Sequence, residues 1–183
     1  MPYISCNLKH LSEGNISMKD TGLGNTLFQF ATMFALYKKH GFDMDLTEIR
    51  QYCEKLKEVG YDHDKTFFQD VFRFFEKKDV DEKINYEMIT EDRNKPESYD
   101  KNFVSSVINN KSNHVKINGY LQSFMYFNDY RCELYNLFKP PRDFEEVVKI
   151  DFPELFNEDV VSISIHVRMN YANAINYTDS FFK

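Results

Sequence analysis

Residues 161–168 constrain the fold more than any other part of this sequence. They read VSISIHVR, so four aliphatic side chains alternate with two serines, His166 and Arg168. Because successive side chains of a strand point to opposite faces, the segment is predicted to be a β-strand with one aliphatic and one polar face. His166 and Arg168 would then share the polar face, at the carboxyl end of the strand.

This carboxyl end is predicted to bind an anion. In open α/β sheets, ligands bind outside the carboxyl ends of the strands. The guanidinium group of Arg168 suits a phosphate, because its planar fork donates two charge-assisted hydrogen bonds to neighbouring oxygens. A single histidine on a strand is more often structural, so the assignment of His166 to the site depends on the neighbouring Arg168.

A strand, a polar loop and a helix are predicted at the start of the chain. Residues 2–8 read as the strand, and the helix should run from about Gly24 to His40, where Gly41 is placed to end it. The side chains expected to face the core recur at helical spacing and are Leu23, Leu27, Phe30, Ala31 and Phe34. The first backbone N–H groups of this helix are free to bind an anion or a sugar hydroxyl.

Polar side chains form a stripe on another face of this helix. Asn25, Gln29 and Thr32 lie on the stripe, just after Gly22 and Gly24. Two side-chain amides one turn apart can hydrogen-bond sugar hydroxyls or a diphosphate, since each amide both donates and accepts. Taken alone, the two glycines indicate only a turn that leads into a helix.

The middle of the chain predicts further alternation of strands and helices. The strands are expected over residues 42–46 and 115–117. Residues 91–101 are expected to be an exposed loop. Helices are expected over residues 65–76, where a strand is the alternative, and over 122–138, before Pro140 and Pro141. This order indicates an α/β fold with a largely parallel sheet.

A turn at Gly119 follows the strand over residues 115–117. Tyr120 and Gln122, directly after it, are candidates for the substrate side of a site. The alternative is structural: the turn carries a packed aromatic ring, and Gln122 or Ser123 caps the following helix.

Three segments occur in an order and at spacings that match a known family. They read GLGNTLFQFA at residues 22–31, NGYLQSFMYF at 118–127 and IHVR at 165–168. They resemble the blocks GGLGNQxFQYA, GYxQSxxYF and HVRRGDY of the α-1,2-fucosyltransferases, family 11 of the glycosyltransferases. After Arg168 the chain continues Met169-Asn170-Tyr171, which is one residue shorter than the family pattern and lacks its second arginine and its aspartate.

The resemblance implies a Rossmann-like parallel sheet of the GT-B glycosyltransferase kind. The chain would form a single α/β domain over residues 1–183. Within it, residues 1–158 would correspond to the N-terminal half, and residues 159–183 to the first strand of an incomplete nucleotide-sugar-binding half. If the sheet ends with the strand predicted over residues 161–168, no following helix covers the aliphatic face of that strand. We therefore expect a homodimer that covers the truncated sheet, an exposed apolar patch or marginal stability.

The resemblance also implies a reaction and its site residues. The reaction would be the inverting, metal-independent transfer of L-fucose from GDP-fucose to the 2-hydroxyl of a galactose-type acceptor, with no cofactor. Arg168 would contact the diphosphate, and His166 would line the same pocket. The other residues expected to bind the donor are Gly22, Gly24, Asn25 and Gln29, and those expected on the substrate side are Tyr120 and Gln122. The catalytic base is not identified, since Asp43, Asp45 and Asp129 are all conceivable.

Two alternatives to a fucosyltransferase remain open. One is a non-catalytic remnant that binds a glycan or a protein partner, which the shortened segment after Arg168 favours. The other is a transferase for a different sugar nucleotide, because Met169 and Asn170 would change the pocket.

Composition excludes several other classes of protein. A net charge of -6 argues against a general nucleic-acid binder, which needs a basic surface. Cys6, Cys53 and Cys132 show no metal-ligand spacing, so neither a disulfide framework nor a zinc site is expected. The motif Asp43-Met44-Asp45 resembles a manganese-binding pattern that is common by chance, and we expect no metal there. The sequence has no apolar run of membrane-spanning length. We expect a cytoplasmic protein, either free or membrane-associated without a transmembrane segment.

Overall fold

Four parallel strands form a sheet in the described part of this α/β protein. The computed structural model describes residues 1–8, 23–58, 68–75, 84–92, 98–139, 142–159, 161 and 163. The strands are β1 (Tyr3–Cys6), β2 (Asp43–Met44), β3 (Glu87–Thr90) and β4 (Val115–Asn118), in the order β2-β1-β4-β3. Each pair of neighbouring strands is parallel. The prediction of an α/β fold with a parallel sheet is confirmed, and the sheet is compatible with a Rossmann-like fold.

Six α-helices accompany the sheet in the described part of the chain. They are α1 (Leu23–His40), α2 (Thr47–Glu58), α3 (Gln69–Phe74), α4 (Lys101–Asn109), α5 (Arg131–Leu137) and α6 (Arg142–Asp151). Short 3-10 helices cover Phe124–Tyr126, Asn128–Tyr130 and Pro153–Phe156. None of the helices in the described ranges has the length and apolarity that crossing a membrane requires.

The chain divides into two compact units, Met1–Pro140 and Pro141–Lys183. The first unit contains the whole sheet and the helices α1 to α5, and the second contains α6. The sequence-based division between residues 158 and 159 stays a prediction, because it concerns a second half of which few residues are described.

The register of the sheet aligns its aliphatic residues into one buried face. Ile4 pairs with Val115, and Cys6 pairs with Ile117, which also pairs with Ile89. All five side chains are buried. Because side chains on paired positions of a parallel sheet point the same way, they form one continuous apolar layer.

Helix α1 confirms the predicted helix over residues 24–40. It ends at His40, and the next residue, Gly41, has a φ of 75°, the left-handed conformation that favours glycine. Phe30 and Phe34 of α1 are buried and stack edge-on against Phe75, with ring centroids 6.2 and 6.1 Å away. Phe75 directly follows α3, so these contacts hold the end of that helix against α1, and residues 65–76 contain a helix rather than a strand.

The predicted helix over residues 122–138 is wrong in its first half. Two 3-10 helices precede α5 there, and Phe127 between them has φ -133° and ψ 10°, outside the helical region. Tertiary contacts account for this: the Tyr126 hydroxyl donates to Glu91 Oε1, and the ring of Phe127 lies 5.9 Å from that of Phe28. The later half is helical, and Leu134 of α5 is buried.

Two other expectations need correction. Residues 91–101 are not simply an exposed loop, because Glu91 is 2% exposed and Lys101 begins α4. Val161 and Ile163 are 89% and 81% exposed and belong to no strand, so the strand predicted over residues 161–168 is not formed at these two residues. No described neighbour covers them. The rest of the predicted strand lies outside the described residues.

Candidate functional site

Side-chain amides collect at the carboxyl edge of the sheet. Asn7, after β1, donates through Nδ2 to Asn118 Oδ1 at the end of β4, over 3.3 Å. Asn118 Nδ2 in turn donates to the Thr90 hydroxyl at the end of β3, over 3.1 Å. The ends of three neighbouring strands are thus joined by polar side chains at the edge where α/β proteins bind ligands.

The first two sequence segments that suggested a site meet at this edge. Gln122 Nε2 donates to Asn25 Oδ1 over 2.9 Å, and both groups are partly buried. Gln29 Nε2 donates to the backbone oxygen of Gly119 over 2.8 Å. We call Asn7, Asn25, Gln29, Asn118 and Gln122 the amide cluster. Two α1 residues predicted to bind the donor thus contact the turn that carries the predicted substrate-side residues.

The polar stripe of α1 is largely buried, which differs from the expectation. Gln29 and Thr32 are 6% and 1% exposed, because α1 packs against β1 and β2. Gln29 Oε1 and Thr32 Oγ1 have no hydrogen-bond partner among the described residues. A buried polar oxygen without a partner costs about 1–3 kcal/mol, so these two atoms of the stripe reduce the stability of the fold.

The remaining predicted residues in the described ranges lie near the surface. Gly24, at the start of α1, is exposed, and a Cβ built on it would meet nothing within 4 Å. Tyr120 is 40% exposed, and Phe124 and Met125 beyond it are 63% and 57% exposed. Exposed aromatic rings beside amides suit the binding of a sugar, which has apolar faces and hydroxyl edges. Gly22, His166 and Arg168 lie outside the described residues.

A buried carboxylate, which the sequence did not reveal, supports the turn of the site. Glu91 Oε2 accepts a hydrogen bond from the Leu121 backbone N–H over 2.8 Å, and Oε1 accepts one from the Tyr126 hydroxyl over 2.9 Å. Burial raises the pKa of Glu91, whereas the hydrogen bonds from Leu121 and Tyr126 lower it in part. A glutamate directly after a short strand, in a charged stretch, gave no sequence signal of this role.

A second group of polar side chains surrounds Asp45, and both of its carboxylate oxygens accept hydrogen bonds. Asp45 Oδ1 accepts from the Thr47 N–H and hydroxyl, and Oδ2 accepts from the Tyr86 hydroxyl over 2.8 Å. Glu48 pairs with Lys116 over 2.6 Å. The carboxylate of Asp45 is thus occupied at both oxygens, as expected of a structural residue, which weakens its case as the catalytic base.

The other two candidate bases and a metal site receive little support. Asp129 is exposed and lies 3.4 Å from Lys39. Asp43 lies within β2, where its side chain is half-buried and takes part in an interaction. Among the described residues, no group of three or more His, Cys, Asp or Glu side chains could hold a metal ion.

An apolar groove of about 700 Å³ lies between α1 and α5. Its floor is formed by aliphatic and aromatic side chains, including Leu27, Phe28 and Phe138, and its rim carries Arg131 and Cys132. Because Gly24 also lines the groove, the groove begins beside the residues predicted to bind the donor.

Comparisons of this chain with protein-family models, with curated proteins and with solved structures found no match.

Proposed function

We propose that the protein is fucosyltransferase-like and transfers L-fucose from GDP-fucose to the 2-hydroxyl of a galactose-type acceptor. Its sheet would correspond to the N-terminal half of a GT-B glycosyltransferase. The observation that carries the proposal is the hydrogen bond from Gln122 to Asn25. It joins two of the three sequence segments that resemble family 11, although 97 residues separate them.

The proposed roles follow from the chemistry of the groups. Asn25, Gln29 and Gln122 would hydrogen-bond sugar hydroxyls, and the first N–H groups of α1 would face a phosphate. By resemblance, Arg168 and His166 would contact the diphosphate. The acceptor oxygen would attack the anomeric carbon as its bond to the diphosphate breaks, so GDP leaves with the electron pair and a base takes the hydroxyl proton.

Titration calorimetry with GDP-fucose tests the donor side of the proposal. We expect the unmodified chain to bind, and Arg168→Ala to bind about tenfold more weakly, because one charge-assisted hydrogen bond contributes about 1.5–3 kcal/mol. Asn110→Ala serves as a control, since Asn110 donates to Ser106 at the end of α4. GDP-mannose and a UDP-sugar, titrated in parallel, would detect a transferase for another nucleotide sugar. Absence of binding to GDP-fucose, together with absence of fucose transfer to lactose, would overturn the proposal.

A non-catalytic glycan-binding protein is the second candidate. Two observations favour it: Met169 and Asn170 stand where family 11 has its second arginine and its aspartate, and Tyr120 is exposed beside the amide cluster. Binding of a galactoside without any binding of GDP-fucose would support this candidate over the transferase.

A further inference from the structure

The turn over residues 119–121 contains a strained backbone conformation. Leu121 has φ 54° and is the one non-glycine residue with positive φ in the described part of the chain. Its side chain is fully buried, so the residue is anchored on its apolar side. A leucine in the left-handed region costs about 1–3 kcal/mol and persists only where its surroundings fix it. Something next to Leu121 must therefore hold the turn.

The carboxylate of Glu91 fixes the turn over residues 119–121. The Leu121 N–H is buried, and the hydrogen bond that it donates to Glu91 Oε2 is 2.8 Å long. The Glu91 backbone N–H donates to Asn118 over 2.9 Å, just before the turn begins. The turn is thus tied to Glu91 at both ends.

Gly119 fits this arrangement, because Glu91 occupies the space next to it. A Cβ built on Gly119 would lie 2.6 Å from both Cβ and Oε2 of Glu91. Such a distance is shorter than any ordinary contact, so no side chain can be added at residue 119 while Glu91 keeps its place. The glycine of the second family-like segment is thus explained by the carboxylate behind it and requires no contact with a ligand.

The other oxygen of Glu91 is fixed by a relay that ends at α4. The Tyr126 hydroxyl donates to Glu91 Oε1 and accepts from the Asp100 N–H over 2.9 Å. Asp100 itself caps α4 by accepting from the N–H groups of Asn102 and Phe103. The carboxylate therefore cannot rotate away from the turn without breaking contacts on both sides.

We propose that Glu91 is a positioning residue, whose carboxylate fixes the turn over residues 119–121 and thereby sets the places of Tyr120 and Gln122 for a ligand. These two residues flank Leu121, so its conformation decides where their side chains project. Gln122 tolerates little displacement, since its hydrogen bond to Asn25 is only 2.9 Å long. The identity of the ligand, a galactoside, rests on the proposed function; the positioning role does not.

The test compares Glu91→Ala with Glu91→Gln and with Asp45→Ala as a matched control. Asp45 is also a buried carboxylate that accepts from a backbone N–H and a tyrosine hydroxyl, but its partners are Thr47 and Tyr86. Glutamine keeps one oxygen for the Leu121 N–H, and its N–H₂ can donate to the Tyr126 hydroxyl once that hydroxyl turns its proton away. The hydrogen bond that fixes the turn should therefore be preserved.

Two nuclear magnetic resonance readouts report on the turn directly. They are the side-chain amide signals of Gln122, identified by their loss in Gln122→Ala, and the hydrogen exchange of the Leu121 backbone amide. In Glu91→Ala, we expect the Gln122 signals to move and Leu121 exchange to accelerate by about tenfold, the loss of one buried hydrogen bond. Glu91→Gln and Asp45→Ala should leave both readouts unchanged. Unchanged readouts in Glu91→Ala, or equal changes in Asp45→Ala, would overturn the positioning role.

Titration with methyl β-galactoside separates the positioning role from the proposed function. We expect its Kd to rise about tenfold in Glu91→Ala and to stay within about twofold in Glu91→Gln and Asp45→Ala. If the unmodified chain does not bind the galactoside, the assignment of a galactoside as the ligand fails, and the two resonance readouts alone decide the positioning role. If Glu91→Ala does not fold, Tyr126→Phe takes its place, because it removes one of the two carboxylate contacts. Unmoved Gln122 signals in Tyr126→Phe would then overturn the proposal.

Discussion

Gln122 donates its side-chain amide to Asn25 Oδ1, across the gap between the turn after β4 and the first turn of α1. This contact joins the helix that packs on β1 and β2 to the strand on the other side of β1. A polar pair that is partly buried and bridges two elements contributes to stability as well as to any ligand site.

We expect a measurable coupling energy between Asn25 and Gln122. In a double-mutant cycle of Asn25→Ala and Gln122→Ala, the two losses in free energy of unfolding should differ from additivity by about 0.5–1.5 kcal/mol, the net worth of one hydrogen bond. Urea titration of the four proteins measures it. Additive losses would mean that the hydrogen bond does not form in solution.

Replacement of Gly119 should be strongly destabilising, whereas replacement of Gly24 should not. Gly119→Ala places a Cβ 2.6 Å from Glu91, and the expected loss is about 1–3 kcal/mol of the free energy of unfolding, as in an overpacked core. Gly24→Ala meets nothing within 4 Å and lies in α1, where alanine is the better helix former by up to about 1 kcal/mol. Urea unfolding compares the two. Equal effects at both positions would contradict the close approach of Glu91.

Stability should depend on pH through Glu91. Its pKa in the folded state is raised above the ordinary value of 4.5, so the folded protein holds this proton more tightly than the unfolded chain. The stability that Glu91 contributes through this raised pKa is fully present below its pKa in the unfolded chain. It is lost as the pH rises through its pKa in the folded protein. Because other carboxylates also titrate, the measurement is the difference in unfolding free energy between the unmodified chain and Glu91→Gln from pH 4 upward. The unmodified chain should lose stability relative to the variant, and a difference of the opposite sign would refute the prediction.

One cysteine should react far faster than the other two with a thiol reagent. Cys132 is exposed, whereas Cys6 and Cys53 are each only 1% exposed. Burial, with the carboxylates of Glu48 and Asp45, also raises the pKa of the Cys6 thiol, which removes its reactive thiolate. Under native conditions we expect a single fast phase that Cys132→Ser abolishes. Fast labelling of Cys6 in that variant would show that the sheet opens readily.

The strongly patterned elements could be predicted from the sequence. Helix α1 has apolar residues at helical spacing and a glycine at its end, and β1 and β4 are short aliphatic runs that register next to each other. Helix α2 went unpredicted although its buried residues Ile49, Tyr52, Cys53 and Leu56 follow the helical period. Strand β3 gave no such pattern, because it lies at the end of the strand order and buries only Ile89.

The candidate site could be predicted only in part. Asn25 and Gln29 were proposed because they are side-chain amides one helical turn apart after Gly24, and Tyr120 and Gln122 because they follow the turn at Gly119. Glu91 was missed, since its role arises from contacts with residues far along the chain, and a charged side chain after a strand is usually solvated. The break in the helix predicted over residues 122–138 has the same origin, because it depends on Tyr126 reaching Glu91.

The shared space of Gly119 and Glu91 also has an evolutionary consequence. A larger residue at position 119 and a glutamate at position 91 exclude each other, so a change at position 119 that leaves Glu91 in place produces a poorly folded intermediate. Lineages of this protein should therefore change position 91 before position 119, or change both together. Any relative that carries alanine or serine at the turn is expected to carry glycine after β3, or a shifted backbone there, because the Cβ at position 91 is itself within 2.6 Å. Its ligand-facing turn would then be held by some other group.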